Sequence, residues 1–283
     1  MSLLIPFSGL CPMLRLAQFT AVVLSVTAAT AAAQGLRVST VVYDASRLDR
    51  SGKEPVLSRS ITLFHNGRAY DYVEAAGEVV VFDKASKRFT VINAGHGVFT
   101  RVAFAELQAL LKNRGPQTQE YIAELQATNA PGAAKAARTL SFQLAPEFEQ
   151  KFHERSGILT LRSRSLKYSV STNGWEDADQ VESYLQYADW TARLNYLLHP
   201  SAMFPEPRLA LNRELRSLKS RLPVVVQLDL RPDNRMVLRA EHQFVRSLTE
   251  HDRSLIGEWD ESLQQLQEVP LRRYQQSVIV SGK

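Results

Sequence analysis

Cysteine is nearly absent from this chain. The single copy in 283 residues, Cys11, precedes an apolar run from Leu16 to Val26. No disulfide can stabilise the residues beyond that run, thiol chemistry is excluded there, and the acylated cysteine of a lipoprotein, which must come after the apolar run, is missing. The run is also well short of the roughly 20 residues a membrane-spanning helix needs. The histidines at positions 65, 96, 153, 199, 242 and 251 fall at no spacing that builds a zinc helix or hairpin. His242, in Ala240-Glu-His-Gln-Phe244, has no second histidine to complete a zinc motif. No serine sits in a Gly-x-Ser-x-Gly elbow, and Gly95-His-Gly97 lacks the third glycine and the lysine of a phosphate-cradling loop. Hence no metal and no cofactor is implied. The formal charge of +5 is modest. Without a basic-aromatic motif it does not point to nucleic acid. The densest basic groups, Arg162, Arg164 and Lys167, then Arg213, Arg216, Lys219 and Arg221, suit a solvated face or contact with an anionic lipid or polymer.

What is present starts with a distinctive N-terminus. Residues 1–33 carry Arg15 as their one charged residue, then the apolar run, then Ala31-Ala32-Ala33. This is the pattern of a secretory signal peptide with cleavage before Gln34, and Met13 offers a second start that still leaves a complete positive region. The expectation is an exported protein, periplasmic or extracellular, with no transmembrane segment in its mature part. Residues 34–283 are enough for an ordinary hydrophobic core.

Alternation marks a strand over 36–44 and a meander over 56–92. Its turns are explained by backbone needs: Asn66-Gly67 supplies the positive φ angles of a tight hairpin, and Gly77 permits the next reversal. Helical spacing begins at Phe104, with Gly115-Pro116 expected to end that helix and a second to begin at Thr118. Ala130–Ala137 reads as a linker or frayed helix end. Strands are expected over 139–144 and 157–172, and a long helix over about 179–198, opened by the capping-box spacing of Asp179 and Glu182. A helix through Leu211–Leu222 precedes two long antiparallel strands joined by a type I turn at Arg231-Pro-Asp-Asn234. A helix capped by Asp252 comes next, then an edge strand or tail over 274–280. The segregated order predicts an α+β fold, with an antiparallel, curved, half-barrel-like sheet packed by several helices. One domain is expected over 34–283, with a sub-boundary near 130–138 as the place it would divide.

Candidate chemistry is sparse. His96, between two glycines, could donate a proton, and Glu176, Asp177, Asp179 and Glu182 could share calcium or split into acid and base. The helix dipole explains those acids more simply, because negative charge is favoured at a helix start. The aromatics are the richer set. Tyr70, Tyr72 and Phe82 on strands and Tyr184, Tyr187 and Trp190 on the long helix either fill a core or line an apolar cavity between sheet and helix.

The segment Gly67-Arg-Ala-Tyr-Asp-Tyr72 with Val79-Val-Val-Phe-Asp-Lys-Ala-Ser-Lys-Arg-Phe-Thr-Val91 resembles the periplasmic lipoprotein-carrier family, the Lol-type half-barrels, over about 30 residues. The mature chain, including Tyr187–Asn195, also resembles exported bacterial proteins. The carrier resemblance implies a curved sheet around a lipid. Ala69-Tyr70 stands where the family has Arg-Trp, Gly77-Glu78 where it has Asp-Gly, and Ala85 where it often has proline, so no functional residue carries over.

Three readings are compatible with these features. The first is a non-catalytic binder of an apolar ligand, a lipid or acylated peptide, which requires a continuous apolar void of about 300 Å³ or more between sheet and helices. The second is a structural or interaction component of the cell envelope with a filled core. The third is a hydrolase using His96 or the acidic cluster.

Overall fold

Six short strands build the first half by hairpin closure alone. The computed structural model describes residues 35–199, 202–230 and 236–281; the expected signal peptide and the Arg231–Asn234 turn lie outside the described residues. The strands are β1 (Leu36–Asp44), β2 (Val56–His65), β3 (Arg68–Val73), β4 (Glu78–Asp83), β5 (Arg88–Asn93) and β6 (Val98–Ala103). Each pairs antiparallel with the next. Asn66 and Gly67 take φ of 49° and 74°, the left-handed pair a two-residue turn demands.

The chain then leaves the sheet through α1 (Phe104–Ala127) and α2 (Ala133–Leu144). It returns through β7 (Glu149–His153), β8 (Ile158–Arg162) and β9 (Lys167–Gly174). Next come α3 (Ala178–Leu198) and α4 (Glu206–Ser217), β10 (Arg221–Asp229) and β11 (Val237–Val245), α5 (Glu250–Ser262), the two-residue β12 (Gln267–Glu268) and α6 (Leu271–Ser281). One open sheet contains all twelve strands, in the order β12-β6-β5-β4-β3-β2-β1-β11-β10-β9-β8-β7. Only β12, alongside β6, is parallel. The fold is α+β with a curved, antiparallel sheet that does not close into a barrel. Because β11 pairs with β1 in the middle of the order, residues 139–283 extend the first sheet instead of building a second.

Both faces are covered, which is why β4 is apolar at successive positions. Its Val80 and Phe82 join Phe89, Val102, Phe104, Leu107, Tyr187 and Leu194 on the α3 face. Its Val79 and Val81 join Tyr70, Ile92, Phe99 and Ile256 on the α5 face. A third cluster packs Val181, Tyr184 and Leu185 of α3 and Leu211 and Leu215 of α4 onto β8–β11. Fully burying one such side chain contributes about 1.5–3 kcal/mol.

Several expected elements differ. Helix α1 passes through Pro116. Proline removes one backbone donor there, and the Thr118 hydroxyl donates to the Arg114 carbonyl at 2.9 Å, occupying a neighbouring acceptor on this exposed stretch. Residues 139–144, expected as a strand, belong to α2, where Ala133, Ala134, Ala136 and Ala137 favour helix. The cap of α3 is Asp177, which accepts from the Gln180 N–H at 3.0 Å, not the Asp179–Glu182 box. Thr249 caps α5, with Asp252 completing the reciprocal box. Residues 271–281 are helical, and the edge strand is β12. Among the described residues no helix is long and apolar enough to cross a membrane.

Candidate functional site beneath the long helix

A polar stripe interrupts the apolar α3 face. The register places His242 opposite Thr40, Thr40 opposite Ser60, and Thr62 opposite Asp71. With a side-chain period of two, all five point to the same side of the sheet. Above them Tyr184, Tyr187, Thr191 and Asn195 descend from α3, and Arg208 enters from the first turn of α4. They border an open pocket of about 280 Å³.

Asp71 accepts from the Thr62 hydroxyl at 2.8 Å. Burial pushes its pKa up, and hydrogen bonds from Tyr187, Thr62 and Ser60 only partly oppose this. Burial also drives the Tyr187 hydroxyl well above its ordinary value, with the Asp71 carboxyl adding to the effect. His242 is driven down to about 3 by burial and by the Arg208 guanidinium, so its ring is neutral at neutral pH. Its Nδ1 lies 2.9 Å from the Thr40 hydroxyl, while its buried Nε2 has no hydrogen-bond partner among the described residues.

Arg208 is anchored by neutral groups. Its Nε donates to Asn212 Oδ1 at 3.1 Å, and its guanidinium bonds the Tyr184 hydroxyl. Fully buried Asn212 donates on to Asp189 of α3 at 2.7 Å, and Asp189 pairs with Arg216 at 2.8 Å. This relay fixes α4 against α3 and with it the entry point of Arg208.

The sequence-expected aromatics divide. Tyr184 and Tyr187 line the cavity. Trp190 stacks on Phe104 with centroids 3.9 Å apart. Phe82 packs among Phe89, Phe104 and Tyr187, and also borders a smaller space of about 230 Å³ beside the β2–β3 turn. Tyr70 and Tyr72 lie on the α5 face, stacked on Trp259 at 6.3 and 6.0 Å, with the Tyr70 hydroxyl donating to Asp260 at 3.1 Å. The six therefore do not form one site. His96 is exposed in the turn between β5 and β6, far along the sheet order from Asp177 at the α3 cap. Glu182 and Glu176 pair with Arg216 and Arg246 at 3.0 and 2.8 Å. Among the described residues no three His, Cys, Asp or Glu are grouped to hold a metal.

Asp71, His242 and Arg208 escaped the reading from sequence. The signal was present for Asp71: if Tyr70 and Tyr72 share one face, the carboxyl between them must point to the other. An apolar pocket of about 580 Å³ also exists, bordered by Leu140 and Phe142 of α2 with Leu166, Met203 and Leu230, away from α3. No protein-family profile matches the chain, and no curated protein sequence matches it.

Proposed function

We propose that this chain is an exported, non-catalytic binding protein that holds an amphiphilic ligand, a lipid or acylated peptide, between the sheet and α3. The observation that carries this reading is the pocket of about 280 Å³ beneath α3, which brings Thr40, Asp71, Tyr187, Arg208 and His242 to one space. A second space of about 230 Å³ has Leu36, Phe64 and Phe82 on its wall together with Arg68, Lys84 and Gln180, and its Phe64 meets Tyr187 of the larger pocket edge-on at 5.6 Å. The sheet is open and curved with helices on both faces, and the Lol-type resemblance of residues 67–91 belongs to the same reading through the curved sheet alone. Catalysis is disfavoured because a histidine with a pKa of about 3 takes up no proton at neutral pH.

Native mass spectrometry of protein recovered from its own envelope, with uptake of a fluorescent fatty acid, tests the proposal. A co-purified amphiphile or saturable uptake is expected. Recovery without ligand and without uptake overturns it and favours the envelope-component reading, which the close packing of the rest of the α3 face supports.

A further inference from the structure

One carboxyl group and one guanidinium border the same cavity, and neither is ion-paired among the described residues. Asp71 is held by hydroxyls of Thr62, Ser60 and Tyr187. Arg208 is held by Asn212 and by Tyr184. Both groups act on the Tyr184 hydroxyl, which also lines the pocket.

The ligand classes can be weighed against this arrangement. A purely anionic group suits Arg208 but meets the Asp71 carboxyl. A purely cationic group suits Asp71 but meets Arg208. An uncharged group leaves the Arg208 guanidinium without a counter-ion and Asp71 with hydroxyl partners alone. A dipolar group satisfies both ends at once. At about 280 Å³ the pocket lies near the lower end of ligand-site volumes.

We propose that the cavity beneath α3 is a subsite for a zwitterionic group, its ammonium set against Asp71 and its carboxylate or phosphate against Arg208. This rests on the ligand-binding reading of that cavity and names the chemistry of the ligand's polar end. His242 also lines the pocket, with its Nδ1 lying 2.9 Å from the Thr40 hydroxyl. The hydroxyls of Tyr187 and Thr62 keep Asp71 in place for the ammonium. A free amino acid and an aminophospholipid headgroup present the same pair of charges.

Isothermal titration of the mature chain with L-leucine, L-serine and phosphoethanolamine, against isoamylamine and isovaleric acid, which each lack one charge, tests the proposal. Vesicles of phosphatidylethanolamine and of phosphatidylglycerol distinguish the sources. Binding of the free zwitterions marks a small-molecule site, and binding of phosphatidylethanolamine vesicles alone marks a lipid headgroup. Asp71→Asn and Arg208→Gln should each weaken zwitterion binding roughly tenfold or more. Asp71→Asn preserves shape and a carbonyl acceptor, so loss of binding with an unchanged unfolding midpoint excludes misfolding. Single-charge analogues binding as well as the zwitterions, or both variants binding normally, would overturn it. Fatty-acid uptake without any zwitterion binding overturns this subsite alone, whereas absence of both overturns the binding function as well.

Discussion

Lowering the pH from 7 to 5 should destabilise this protein through His242. The ring's pKa falls from 6.5 to about 3 because burial and Arg208 both oppose its charged form. For a folded pKa below the unfolded one, the unfolded state binds the proton first, so stability is full above the unfolded value and is lost as pH drops towards the folded value. Between pH 7 and pH 5 the unfolded ring becomes almost fully protonated while the folded ring stays neutral. At about 1.4 kcal/mol per pH unit, this loses about 2 kcal/mol. Two other sets of groups act in or near the window. Asp71, Glu78 and Glu206 have raised values through burial and gain stability as pH falls. Asp252 and Asp83 are held below 3.8 and lose their contribution only in stronger acid. The clean quantity is therefore a difference: urea unfolding of the wild type and of His242→Gln, each at pH 7 and pH 5. The wild type should lose about 2 kcal/mol more than the variant over this interval. An equal loss in both proteins would refute the placement of His242 as a buried neutral ring.

Other expectations concern the scaffold. Gly157 has φ of 65°, and a Cβ there would lie 2.5 Å from Arg221 Nη2 and 2.6 Å from the Thr172 carbonyl; Gly157→Ala should cost about 3 kcal/mol in urea unfolding. At Gly67, where a Cβ meets nothing within 4 Å, the same change should cost only about 1 kcal/mol. Trp259→Ala, which unstacks Tyr70 and Tyr72 on the α5 face, should cost about 3 kcal/mol by thermal or urea unfolding and leave fatty-acid uptake unchanged. Asp177→Ala should remove the α3 cap for about 1 kcal/mol, measured by urea unfolding, with no change in ligand uptake.

Local rules made much of the sheet legible. Asn66-Gly67 and Gly77 dictate their turns through φ, and the meander from β2 to β6 is antiparallel because short links cannot return a strand in parallel. The helices were less legible where two local signals competed. Pro116 reads as a stop, but a proline in an exposed helix loses one bond and the flanking turns persist. Residues 139–144 are apolar enough for a strand, yet the alanines before them carry the helix through. The site was hardest to read because its members come from β1, β2, β3, β11, α3 and α4, and only the sheet order brings Thr40 beside His242 across some 200 residues of sequence. Tyr184 and Tyr187 were readable as inward-facing because they lie on the apolar stripe of α3. Tyr70 and Tyr72 were readable as a pair, but the face they share depends on α5, which arrives much later in the chain.

A polar stripe in an otherwise apolar layer has two possible purposes, and stability separates them. If Thr62, Asp71 and Tyr187 serve the fold, removing all three polar groups together should harm it. If they serve a ligand, they are a burden on the empty protein: Asp71 is a carboxyl that burial penalises, held by hydroxyls that need it as an acceptor. Removing one alone is uninformative, since it strands its partners and costs about 1–3 kcal/mol for each. Removing the three together, Thr62→Val with Asp71→Leu and Tyr187→Phe, takes out the carboxyl and two of its three hydroxyl partners and leaves behind only the Ser60 and Thr191 hydroxyls that bonded them. Replacing a satisfied buried polar cluster by apolar groups of similar size is often neutral or stabilising. The triple variant should therefore unfold at the same urea midpoint as the wild type or a higher one, while losing uptake of the amphiphile. A drop of about 3 kcal/mol or more would show that the stripe holds the sheet to α3, and the α3 face would then be core throughout.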